Sequence, residues 1–236
     1  MRSLSDLILT KYLFEHWESI QPRLLEHIVL SAISLSIALV ISLPLGLLLN
    51  RVPRLAGPVT IFLNMIYAIP SLALFALLVP LMGIGTQPAI VALTGYSLFI
   101  LVRNTMVGFN SVNPAVIEAA RGMGMSNAQV LWRIEVPLAL PVIVAGMRIA
   151  TLSTIGLATI AAWIGAGGLG QLLKDAVNAN MDLASNQSKL YAGLICIGAM
   201  AVASDLLFRL IERQLVAPSP PQRLATPRAA AQAKEA

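Results

Sequence analysis

Apolar residues run along the chain in five long, nearly unbroken blocks, at about residues 28–49, 58–82, 88–107, 138–164 and 190–211. A helix needs about 20 apolar residues to cross the hydrocarbon core of a bilayer. The blocks are apolar all round rather than along one stripe, as expected of helices buried in lipid and in one another. The pattern predicts an all-α polytopic membrane protein with five transmembrane helices.

Composition agrees with that pattern. Of 236 residues, 57% are hydrophobic and 11% charged, against about 25% charged in soluble domains. Mean hydropathy is +0.80. An ordinary soluble enzyme, a coiled coil and a disordered chain are all excluded. The single cysteine, Cys196, permits no internal disulfide framework, and His16 and His27 cannot build a His-rich metal centre. No metal site is expected.

The basic residues orient the spans. One side of the predicted bundle receives Arg51, Arg54, Arg103, Arg121, Arg133, Arg148, Arg209, Arg213, Arg223, Arg228 and Lys234. The other side receives only Arg2, Lys11, Arg23, Lys174 and Lys189. The positive-inside rule makes the first group cytoplasmic, with the N-terminus outside and the C-terminus inside. Residues 1–26 mix apolar and charged positions and are expected to form an amphipathic segment at the outer interface. A cleavable signal peptide is not expected there, because the first long apolar run starts late and follows several acids. The membrane domain is placed at residues 27–213, with a cytoplasmic loop at 110–140. The tail, 214–236, is rich in Ala, Pro and Gln and reads as disordered.

The loop between the third and fourth spans carries its own local signals. Asn113 can cap a short helix whose first position is Pro114. Gly122 and Gly124 allow the chain to turn. Ser126 and Gln129 have the spacing of a capping box for a second short helix, which Pro137 is expected to close. Met123, Met125, Leu131 and Trp132 add apolar bulk. Such a knob either packs on its own bundle or enters a groove of another protein. A helix-turn-helix reading fails, because Arg121 and Arg133 are balanced by Glu118 and Glu135 and both ends are tethered to membrane. No nucleic-acid partner is expected.

Glu118, Ala119 and Ala120, followed at fixed spacing by Gly124, Ile134 and Pro137, resemble the docking loop in the membrane subunit of an ATP-binding-cassette importer. Val136 stands where that pattern has Leu. Further stretches, at residues 68–80, 102–105, 118–141 and 161–170, look like the osmoprotectant subfamily, whose importers carry glycine betaine, choline or carnitine. The resemblance implies a type I importer fold and a multi-pass place in the bacterial inner membrane. It implies that these six loop residues dock a separate ATPase, which binds the ATP and Mg. Other implied partners are an extracytoplasmic binding protein and a second membrane subunit, identical or related. An amino-acid importer of the methionine type shares this architecture and is the alternative. A secondary transporter is a weaker one, since Asp205 is the only acid well inside a span.

Other candidates come from chemistry. Gly165, Gly167 and Gly170 satisfy the Gly-x-Gly-x-x-Gly spacing, but a membrane span precedes them where a dinucleotide site needs a strand. With Gly168 they are read as a turn at the outer mouth, packed closely against a helix and serving as a candidate gate. Pro70 and Pro80 favour kinks that free carbonyls to line a passage. A quaternary ammonium ion carries no N–H, so aromatic faces suit it. Tyr67, Tyr96 and Trp163, with Ser71, are the candidates for that path. Asn64, Asn104, Ser153, Thr154 and Thr159 either face it or bond between helices. Asp205 and Arg209, four residues apart, are expected to form a structural ion pair, and Arg103 and Arg148 to snorkel. No catalytic constellation and no phosphate-binding loop of the Walker type occurs, so the chain is not expected to be an enzyme.

Overall fold

The computed structural model describes residues 15–178 and 183–215, and no strand occurs among them. The helices are α1 (Trp17–Arg51), α2 (Pro53–Ala68), α3 (Ser71–Met82), α4 (Thr86–Asn110), α5 (Pro114–Gly122), α6 (Asn127–Val130), α7 (Val136–Ala161), α8 (Gly170–Asn178) and α9 (Leu183–Leu215). A π-helical turn, Leu131–Glu135, joins α6 to α7, and a 3₁₀ turn, Ala162–Ile164, extends α7. Four helical runs are long and apolar enough to cross a membrane: α1, α4, the continuous run Asn127–Ile164, and Gln187–Leu215 within α9.

The second predicted span, residues 58–82, is a broken one: α2 and α3 are together long and apolar enough to cross a membrane but meet at a 95° bend. The cause lies in the sequence at the break. Ile69 precedes a proline, which disfavours the helical region, and it is extended at φ −67°, ψ 129°. Pro70 continues extended at φ −54°, ψ 133°. Pro80, by contrast, is absorbed within α3.

Residues 17–26 are the first turns of α1, continuous with the first span. Residues 1–14 and the tail from 216 onward lie outside the described residues.

α4 is the hub. It buries Ala92, Leu93, Tyr96, Ser97, Leu101 and Thr105 between its neighbours. α1 meets it through a seam of Ser31, Ser34, Ala38, Ser42 and Gly46, spaced three or four apart. Without a hydrophobic driving force in lipid, such seams hold by close van der Waals contact, which small residues permit. On α4's other side, α7 contributes Ala139, Ile143, Ala150, Thr154 and Ala158. Near the end predicted to face outward, Phe75, Leu93, Tyr96, Ala161 and Ile164 form one core. α9 lies at the edge, with Val202, Leu206, Leu207 and Leu210 exposed.

Candidate functional site

The loop after α4 is built from its caps. The Asn113 side chain accepts from the Ala115 N–H at 3.0 Å and starts α5. Gly124 takes φ +83°, the left-handed conformation that reverses the chain. Gly122 stays helical at the end of α5. Ser126 and Gln129 form a reciprocal capping box, with 2.8 Å from Ser126 N to Gln129 Oε1 and 3.4 Å from Gln129 N to Ser126 Oγ.

Pro137 does not close the second short helix. Val136 N–H bonds to the Leu131 carbonyl, five residues back. The wider turn lets Pro137, which has no N–H, sit in the first turn of α7. The loop therefore runs straight into a span.

Ala120 and Val130 anchor the loop inward, both 1% exposed. Met123 and Trp132 project outward, 75% and 70% exposed. Glu118 and Ala119 are on the exposed side of α5, and Ile134 is half-buried. Beneath them Glu135 is buried and takes the guanidinium of Arg51 from the end of α1.

Further along the bundle, Tyr67, Ile69, Ser71 and Tyr96 meet Ser153, Gly156 and Leu157 around an open cavity of about 420 Å³. The Tyr96 hydroxyl donates to the Ile69 carbonyl at 2.6 Å, satisfying the acceptor that the α2–α3 break leaves free. Tyr67 stands edge-on to Tyr96, with centroids 5.9 Å apart, and tilts against Phe99 at 4.6 Å. A second cavity, about 340 Å³, is lined by Phe99, Asn64, Arg103 and Asn110. The other polar candidates point elsewhere. Thr154 bonds Ser97 between helices at 2.9 Å, while Asn104 and Thr159 bond carbonyls of their own helices.

Trp163 and the glycines stand apart from this cavity. Gly165, Gly167 and Gly168 all have φ near +80°. Their loop closes on α1 of the same chain. Gly168 N–H donates to Glu26 Oε2 at 2.9 Å. A Cβ on Gly168 would lie 3.0 Å from His27 Nδ1. His27 itself is fully buried and donates Nε2–H to the Ile155 carbonyl at 3.1 Å. Trp163, 40% exposed, flanks the loop, and the Gly85 N–H ties the α3–α4 turn to it through the Ile164 carbonyl at 2.9 Å.

The pairing of Asp205 with Arg209, at 2.6 Å, is part of a larger network. Arg148 does not snorkel. It binds Asp205 at 2.8 Å and Glu212 at 3.1 Å, pinning α7 to α9.

Among the described residues, none of these regions holds a nucleophile beside a base. Comparison with known proteins agrees. A family profile described as "Binding-protein-dependent transport system inner membrane component" matches residues 28–216. The chain belongs to that family. This inner-membrane transport component is 38% identical over 199 residues to the choline transport system permease protein OpuBB of Bacillus subtilis strain 168, covering 84% of this chain and 89% of that one. It is 40% identical over 189 residues to the carnitine transport permease protein OpuCD of Listeria monocytogenes, covering 80% and 83%. It is 42% identical over 191 residues to the osmoprotectant import permease protein OsmW of Salmonella typhimurium strain LT2, covering 78% and 86%. In fold it resembles the inward-facing MetNI methionine ABC transporter, with a TM-score of 0.77 at 22% identity, over 89% of this chain and 100% of that one. The transport component is thus an all-α, multi-pass permease subunit with the type I importer fold.

Sequence reasoning missed Glu26, His27, Arg51 and Glu135. Each is a polar residue near the end of a predicted span, where charge is ordinary, and no local signal pairs them across the fold.

Proposed function

We infer that this permease forms the membrane path for a quaternary-ammonium osmoprotectant such as choline, carnitine or glycine betaine. The observation that carries the reading is identity of 38–42% to permeases of that kind. Supporting it is a cavity of about 420 Å³ with two tyrosines and two serines on its wall, a size and lining suited to a small cation without N–H donors. Two copies, or this chain and a related one, enclose the path at their interface. The exposed Met123 and Trp132, framed by Glu118, Ala119, Ala120 and Gly124, dock a separate ATPase that holds ATP and Mg. The N-terminus and the glycine loop face outward, toward a binding protein that delivers the solute. ATP closure moves the paired loops and opens the path outward, and hydrolysis resets it.

Reconstituting the permease with its ATPase and binding protein in liposomes tests the reading. Labelled choline, carnitine, glycine betaine and methionine are offered with and without ATP. Uptake of at least one quaternary amine, dependent on ATP and on both partners, is expected. Uptake of methionine alone would replace the substrate class, and uptake without the ATPase would replace the mechanism.

A further inference from the structure

α1 touches both functional ends of the molecule. At the inner end Arg51 holds Glu135, whose side chain is 5% exposed. A carboxylate so removed from solvent is kept only with its counter-charge. Glu135 faces α1 rather than the outer side of the loop where Met123 and Trp132 project, and it closes the π-helical turn that joins α6 to α7. Next to Arg51, the Asn50 side chain donates to Asn110 at 2.6 Å, fixing the same end of α1 to α4.

At the other end Glu26 receives the Gly168 N–H, and His27 is sealed under Gly168 while bonded to α7. Glu26 and Arg51 stand 25 residues apart on one helix, about 38 Å along its axis. Between them α1 runs as one unbroken helix through Pro44, with its small-residue seam against α4. A displacement of Glu135 therefore has a stiff element to push, and that element ends on the glycine loop.

We propose that the Arg51–Glu135 pair passes the motion of the docking loop to α1, and that α1 delivers it to the outer glycine loop through Glu26. Arg51, Glu135 and Glu26 are positioning residues for transport; they touch neither solute nor ATPase. The inference rests on the ATP-driven reading above.

The test uses the whole reconstituted complex. ATP hydrolysis and solute uptake are measured in the same vesicles for the parent and for R51Q, E135Q, E26Q and the exchange R51E/E135R, with ATPase copurification as the control. The single variants keep the ATPase, and ATP spent per solute rises about fivefold or more, the lower range of typical coupling between sites. The exchange returns the ratio toward the parent's, which a general loss of packing would not do. A ratio within about twofold of the parent in the single variants, the low end of reported coupling perturbations, overturns the proposal. Loss of the ATPase from E135Q, or an exchange variant no better than the single ones, also overturns it. Where a neutral variant fails to fold and is not recovered from the membrane at all, R51K reads the ratio instead, since lysine keeps the charge and loses the planar fork; a parental ratio there overturns the proposal. If the parent itself shows no ATP-dependent uptake, the functional reading fails and this inference falls with it.

Discussion

Gly46 and Gly146 are small because another helix occupies the space a side chain would need. A Cβ on Gly46 would lie 2.6 Å from both Cβ and Cγ2 of Thr105, a β-branched residue with little freedom to move. A Cβ on Gly146 would overlap the Asn104 side chain. Replacing a helical glycine gains about 0.5–1 kcal/mol of backbone entropy. Overpacking costs about 1–3 kcal/mol, so the clash wins. Gly198 on α9 meets nothing within 4 Å. G46V and G146V should therefore lower the melting temperature of the detergent-purified protein by several degrees, while G198V should not; equal melting points for all three would contradict this account. Neither glycine is distinguishable from Gly198 in the sequence, because the difference lies in the opposite helix. Gly124 was legible, since a chain reversal between two capped helices calls for a left-handed residue. Its neighbour Gly122 gave the same signal and yet stays helical.

Among the elements, the apolar blocks located the long helices but not their starts, α1 beginning at Trp17, eleven residues before its block, and they could not show how one block divides. Hydropathy runs unbroken across the α2–α3 bend, and a proline alone announces a kink without its size. The right angle depends on α4, where Tyr96 captures the Ile69 carbonyl and Leu93 packs beside Phe75. The same limit hid the π-helical turn before Pro137 and the nine-residue α8, too short and too charged at Lys174 and Asp175 to stand out. Tyr96→Phe isolates the hydrogen bond. Its loss should cost about 0.6 kcal/mol and at most about 1.7, the range for side-chain bonds between membrane helices. The ring contacts with Tyr67 survive the change, so Y96F should fold with a slightly lower melting temperature. Solute affinity should fall more for Tyr67→Ala, which removes a cavity wall, than for Y96F. The reverse order, read from uptake at graded solute concentrations, would move the binding role from the ring face to the hydroxyl.

For the whole molecule, the expected orientation rests on charge alone, and the fold gives that expectation a geometric consequence. If the basic side is cytoplasmic, the docking loop, Arg51 and the network of Arg148, Asp205, Arg209 and Glu212 belong to the inner half, and the glycine loop with α8 to the outer. These two halves are joined lengthwise by α1, α4 and α7, so one label on each fixes the set. Asn127 and Val177 are both exposed, the first beside the docking loop and the second near the end of α8. In a Cys196→Ser background, N127C and V177C offer single thiols at the two faces. A membrane-impermeant maleimide added to intact spheroplasts should label V177C and spare N127C until the membrane is permeabilised. Replacing one exposed side chain at each site leaves the packed helices untouched, so failure to label would not arise from misfolding in both variants at once. Labelling of N127C from outside would place Met123, Trp132 and the docking face away from any cytoplasmic ATPase. An ATP-driven motor has no fuel on that side, and the coupling scheme would have to be abandoned with the orientation.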